Sequence, residues 1–183
     1  RVMETLAVLG KPVQLGAVEF IVRAFFPDIP VNHCLTKLLR SYFIVVVQLE
    51  DERMWRLLPL DQQYVLSAFA AVGQYSLEAL HRRAAEYFAK IRKPEAAWRT
   101  IADVQPVLDE INHLKQSGDV LAAARLLDVI DENYLWQWGH YRTLIEQREP
   151  LVETLQNPRD QQRNLCRLGV VYRLTGRRGE ALA

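Results

Sequence analysis

The chain has 183 residues, half of them hydrophobic and a quarter charged, with a formal net charge of +1 at neutral pH. This composition excludes a disordered chain and supplies apolar surface for one large domain or two small ones. Charge is balanced on both sides of Val72, seven basic residues against seven acidic before it and sixteen against fifteen after, so no global field points to nucleic acid or an anionic membrane.

In chain order, Val2, Leu6 and Leu9 share one helical face, and Gly10-Lys11-Pro12 ends that helix. Val18, Ile21, Val22 and Phe25 repeat the spacing up to Pro27-Asp28-Ile29-Pro30, and Val31, Leu35, Leu38 and Leu39 form a third helix. Phe43-Ile44-Val45-Val46-Val47 is β-branched and aromatic, the chemistry of a strand. Glu50-Asp51-Glu52 reads as a polar turn, and Met54 to Leu58 as the returning strand. Three helices followed by a hairpin outline a winged helix over residues 1–72. Asp61 is expected to cap a further helix carrying Tyr64, Val65 and Phe69.

After Val72-Gly73-Gln74 the strand signals stop, and residues 73–183 read as a separate helical region. Leu80, Ala84, Tyr87, Phe88 and Ile91 make one helix face. Pro94 suits the first turn of the next helix, and Pro106 is expected to break or restart it. Val107 to Gln116 and Leu121 to Ile130 read as an antiparallel pair joined at Gly118. Further helices are expected from about Tyr134 to Arg148, from Pro150 to Leu155, and from Pro158 onward. Consecutive helix pairs with tight glycine turns imply a stacked α-α superhelix.

Cys34 and Cys166 fit no metal or redox spacing; two buried thiols in a reducing compartment are the preferred reading, with a disulfide as the alternative. The longest apolar run, Phe43 to Val47, is too short to cross a bilayer, and no signal peptide opens the chain. A cytoplasmic location follows as an expectation. The chain opens without Met inside an apolar-periodic stretch and stops as a helix begins, so both ends are expected to lie within a longer protein.

Leu165-Cys166-Arg167-Leu168-Gly169-Val170-Val171-Tyr172, followed by Gly176 and Ala181, resembles a tetratricopeptide repeat. Gly169 would let a neighbouring helix approach, Tyr172 would fill the hairpin, and Ala181 would permit a close second crossing. Leu165 replaces the usual aromatic. Gly118 and Ala123 keep the offset of Gly176 and Ala181, so Val107 to Ile130 reads as a degenerate copy. The glycines are separated by 58 residues, which is not a multiple of the 34-residue period, so the array is irregular.

The order of a winged helix, the helix Leu80-His81-Arg82-Arg83-Ala84-Ala85-Glu86-Tyr87-Phe88 and irregular tetratricopeptide-like repeats resembles the C-terminal half of bacterial STAND signalling ATPases of the NB-ARC or NACHT kind. Arg56 to Tyr64 looks like their segment leaving the wing. The resemblance implies a mainly α, non-catalytic regulatory segment whose repeats receive a ligand or partner protein and release a nucleotide switch elsewhere in the protein. It implies intramolecular contact with that nucleotide domain, a monomeric segment, and oligomerisation of the opened full-length protein. Leu58 stands where the family often carries a phosphate-touching His, and an aliphatic side chain donates no hydrogen bond.

No GxxxxGK[ST] phosphate loop is present, so no enzymatic activity and no cofactor are expected here. Ser41, Ser67, Ser76 and Ser117 lie in no nucleophile-elbow motif, and His33, His81, His113 and His140 show no metal spacing. His33 and Cys34 are adjacent but diverge on a helix. The rival to a protein-facing winged helix is a DNA-binding transcriptional regulator with a helical sensor, using Lys37 and Arg40 beside His33, Thr36 and Ser41 on the third helix. Those few cations, and the acidic wing tip, argue against nucleic acid. Arg82-Arg83, Arg92-Lys93 and Arg177-Arg178 read as solvated helix faces with Glu86, Glu95 and Glu180 nearby. Tyr134, Trp136, Trp138 and Tyr141 crowd one short segment. Trp136, Trp138 and Tyr141 are the candidate partner-binding residues, since aromatic anchors dominate interface energetics; burial between neighbouring repeats is the competing reading.

Overall fold

The computed structural model describes residues 1–49, 52–177 and Gly179. It is mainly helical, with one two-stranded antiparallel hairpin among the described residues, and it divides into two compact units, Arg1–Tyr87 and Phe88–Ala183.

In the first unit the apolar spacing produces α1 (Val2–Leu9), α2 (Leu15–Phe25) and α3 (Val31–Arg40). Gly10 closes α1 at φ 67°, donating its N–H to the Leu6 carbonyl at 3.1 Å; this left-handed position favours glycine. Leu6, Val18, Ile21, Val22 and Leu35 turn inward to form the core. Strands β1 (Ile44–Leu49) and β2 (Glu52–Leu57) pair with Ile44 opposite Leu57 and Val46 opposite Trp55. Ile44, Trp55 and Leu57 are buried, while the Val45–Arg56 pair faces outward. Phe43 and Leu58 lie just outside the strands. Of the expected turn, Glu50 and Asp51 lie outside the described residues, and Glu52 opens β2. Val13 adds a third row to the sheet: its N–H donates to the Trp55 carbonyl at 2.9 Å, and the Trp55 N–H returns at 2.7 Å.

Helix α4 (Pro59–Ser67) begins two residues before Asp61, which sits in its first turn without capping it. Pro59 explains the early start, because its fixed φ and missing N–H suit the first helical position. Phe69 falls beyond the helix end. The expected division near Val72 differs from the observed one, which lies inside α5 (Leu77–Ile91). Tyr75 is buried against Phe25, Phe26 and Phe69, and its hydroxyl donates to the Glu4 carboxylate at 2.6 Å. Arg83 lies 3.7 Å from the centroid of Phe20, whose ring also meets Tyr87. These contacts bind residues 75–87 to the first unit.

In the second unit Pro94 precedes a single 3-10 turn (Glu95–Ala97) rather than opening a long helix. Helix α6 (Ile101–Gln116) starts at Thr100, whose N–H donates to the Asp103 carboxylate at 3.0 Å. Pro106 was expected to break it, yet α6 runs through. Burial of Val104, Val107, Leu108 and Ile111 outweighs one missing intrahelical bond and a local penalty of about 3 kcal/mol. Gly118 (φ 84°) turns the chain into α7 (Val120–Ile130), capped by Asp119. The helix expected over Tyr134 to Arg148 is interrupted: a π turn (Asp131–Leu135) and a turn at Gly139 (φ 75°) come first. Helix α8 (Tyr141–Thr154) then absorbs Pro150, so no separate helix begins there. Helix α9 (Pro158–Leu174) is capped by Asn157. Helix α6 packs on α7, α8 packs on α9, and α7 touches both of the latter. Leu127, Ile130, Leu135, Leu144 and Leu151 fill the centre.

Both cysteines are free, Cys34 half-buried and Cys166 exposed, which corrects the expectation of two buried thiols. Among the described residues no helix is long and apolar enough to cross a membrane.

Truncating the central side chain of either core, Ile21→Ala or Ile111→Ala, is expected to remove about 2–5 kcal/mol of stability, measured by chemical denaturation.

Candidate functional site

The second unit is organised around one buried cation. Arg148 on α8 is 1% exposed. Its Nε donates to Asp131 Oδ2 at 2.8 Å, its Nη2 reaches Asp131 and, at 3.0 Å, Asp128, and its Nη1 donates to Asn164 Oδ1 at 3.0 Å. The Asn164 amide returns a bond to the Arg148 carbonyl at 3.1 Å. A charge this deep persists only with its donors matched. Arg167 flanks the cluster, its Nε 3.3 Å from Asp128 and its Nη1 3.1 Å from Glu132. That Nη1 aims no N–H well enough for a hydrogen bond, despite its proximity to both Glu132 and Asp131. Arg163 approaches Asp128 at 3.5 Å. Three arginines and three carboxylates thus join α7, the π turn, α8 and α9, with a small cavity of about 160 Å³ opening beside Arg148, Arg163 and Asn164. Arg148 has its donors matched by Asp128, Asp131 and Asn164, while Arg167 Nη1 remains without a hydrogen bond.

A larger open groove, about 550 Å³, runs along α7 and is lined by Leu114, Leu121, Ala122, Leu126 and Val129, with Arg92, Glu110, Asp119 and Arg125 at its rim. Leu121, Arg125 and Val129 recur at helical spacing on the exposed side of α7, while Ala122 and Leu126 are half-buried and Leu126 packs against the core. Arg92 pairs with Glu110 at 3.0 Å; burial raises the Glu110 carboxyl above its ordinary value, and Arg92 opposes the shift. An apolar floor with a charged rim is the anatomy of a protein-binding surface.

The candidate aromatic residues Trp136, Trp138 and Tyr141 are all half-buried and packed against the core of this unit. Trp136 and Trp138 stand in a turn between the π turn and α8, not on the helix expected from about Tyr134. Tyr134 bridges Trp98 and Trp138 edge-on, with centroids 5.0 and 5.4 Å away. In the first unit Lys37 and Arg40 lie on the exposed face of α3 with no ion-pair partner among the described residues. Leu58 is half-buried at the start of α4.

One or both members of each paired basic motif are engaged. Arg83 meets Glu86, Lys93 pairs with Asp103 at 2.5 Å, and Arg177 approaches Glu149 at 3.3 Å while lying over the Tyr172 ring. Arg178, Glu180 and Ala181 lie outside the described residues. His113 is buried and stacked on Phe88, and burial pushes His81 below its ordinary value. Among the described residues no three His, Cys, Asp or Glu side chains converge as metal ligands.

No match was found. Neither protein-family models, curated proteins nor solved structures return a relative of this chain. The function therefore rests on residues and geometry alone.

Arg148→Met is expected to lose about 3–5 kcal/mol, because it strands the Asp131 carboxylate in the core; Arg148→Met with Asp131→Leu should recover much of that in urea denaturation. Lys115, hydrogen-bonded to Gln147 at 2.8 Å, is pushed down to about 8 by burial. The folded state therefore binds fewer protons than the unfolded chain between about pH 8 and 10.4, so this group's contribution to stability rises with pH across that window. Denaturation midpoints of the wild type and Lys115→Gln, compared at both ends of the window, should differ in that sense.

Proposed function

We propose that this chain is a non-catalytic regulatory and partner-sensing segment of a STAND-type signalling ATPase, acting in the cytoplasm. The first unit acts as a winged helix, and the second as a stretch of an α-α superhelix of irregular tetratricopeptide-like repeats. A nucleotide switch outside residues 1–183 reads the state of both, and oligomerisation belongs to the activated full-length protein.

The order of elements carries this reading: three short helices, a hairpin tied to the α1–α2 connection through Val13, a fourth helix, then helices packed in pairs. The ends of α6 and α9 add local support for a repeat. Ser117 and Thr175 bond back to carbonyls of their helices, Gly118 and Gly176 adopt φ 84° and 79°, and the next N–H reaches Leu114 or Tyr172. The groove along α7 is the surface best shaped for a sensed polypeptide, and the half-buried Trp136, Trp138 and Tyr141 are the aromatic candidates for contact with it.

The second reading, a DNA-binding regulator, draws on Lys37 and Arg40, exposed without an ion-pair partner among the described residues. It requires a salt-dependent shift of duplex DNA at micromolar protein.

Under the preferred reading the gene encodes a GxxxxGK[ST] loop upstream of Arg1, purified protein of residues 1–183 turns over no ATP, and duplex DNA is not shifted at low salt. Measurable turnover by this segment, or an upstream region with no phosphate loop, overturns it.

A further inference from the structure

Three helices of this chain end in the same way. After α6 the sequence is Ser117-Gly118-Asp119, after α9 it is Thr175-Gly176-Arg177, and after α3 it is Ser41-Tyr42-Phe43. In each, the third residue's N–H reaches back five positions, to Leu114, Tyr172 and Leu38 at 3.0, 2.8 and 3.1 Å. The middle residue takes the left-handed conformation each time, and Tyr42 (φ 61°) is the sole non-glycine among the described residues with positive φ. Left-handed backbone is unfavourable for a residue with a Cβ and natural for glycine. An aromatic held there in place of glycine needs a return, and packing gives none: Tyr42 is 85% exposed. A strained residue that does nothing for the fold points to function.

Its surroundings are equally unusual. Phe43 and Leu39 are exposed beside it, and the Phe43 carbonyl accepts from the Leu58 N–H at 3.3 Å, which brings the start of α4 to the same corner. There Leu60 is 81% exposed, and Tyr64, one helical turn on, is 73% exposed. Lys37 and Arg40 on α3 and Arg56 on β2 are exposed without an ion-pair partner among the described residues. An aromatic and aliphatic centre with a positive rim is protein-interface anatomy; leucines add nothing to phosphate recognition.

We propose that this α3–β1 corner of the first unit docks an acidic segment of a partner protein that carries apolar side chains, with Tyr42 as the anchor and Lys37, Arg40 and Arg56 steering the carboxylates. The surface is separate from the α7 groove, and its test does not depend on that reading.

Peptides selected from a random display library on the immobilised chain, then synthesised and titrated, provide the test. Net-acidic sequences with aromatic or leucine side chains are expected. Their affinity should fall at least about tenfold in Tyr42→Gly, and fall further with added salt in the wild type than in the Lys37→Glu, Arg40→Glu variant. Tyr42→Gly should keep or raise the melting temperature, because glycine suits that backbone, so lost binding cannot be ascribed to unfolding. Four results overturn the proposal: no enriched peptide that depends on Tyr42, a lowered melting temperature in Tyr42→Gly, competition by poly-dT or duplex DNA at the same residues, or Tyr42-dependent self-association in sedimentation.

Discussion

The buried guanidinium of Arg148 is the constraint around which the second unit is arranged. A cation removed from water must find matched oxygen acceptors, and its acceptors come from separate places: Asp128 at the end of α7, Asp131 in the π turn and Asn164 on α9. The π turn earns its place in this light. Asp128 and Asp131 are three residues apart, so the end of α7 turns both carboxylates toward one guanidinium, and the π turn that begins at Asp131 carries the chain on toward Trp136. Arg148 and Asn164 bond in both directions and so link α8 to α9 at one point.

The first unit was largely legible in the sequence. Its three helices and the hairpin each carry a periodicity that one face of a small core imposes, and Gly10, Pro27, Pro30 and Pro59 mark several of the boundaries, though neither residue type marks the passage from α3 to β1. What periodicity could not reveal was Val13, a single residue paired with Trp55, too short to leave a pattern. The unit's limit was also hidden, because Tyr75, Arg83 and Tyr87 reach back to Glu4 and Phe20 across long stretches of chain. The second unit was read correctly as helical but cut in the wrong places. Pro106 and Pro150 are strong local breakers, and tertiary burial overrode both. The break that does exist falls at Gly139, whose positive φ is the turn chemistry that glycine supplies.

The sites were less visible than the fold. Arg148 and Asp131 are seventeen residues apart, and nothing local marks them as partners among so many charged residues. Trp136 and Trp138 drew attention as a cluster, yet a turn, not a helix, sets their directions. Tyr42 carried no signal in the sequence; its backbone conformation, the feature that sets it apart, is not a property that composition records.

The row contributed by Val13 has a bearing on how the molecule behaves in concentrated solution. It occupies the far side of β2, which leaves β1 as the outermost strand, and among the described residues no backbone group bonds its open side. That strand reads Ile-Val-Val-Val-Gln-Leu, uncharged and β-branched, without the lysine or proline by which sheet margins commonly deter unwanted neighbours. Colloidal behaviour will therefore hinge on how well α3 and whatever adjoins it keep this margin from meeting its own image in another molecule.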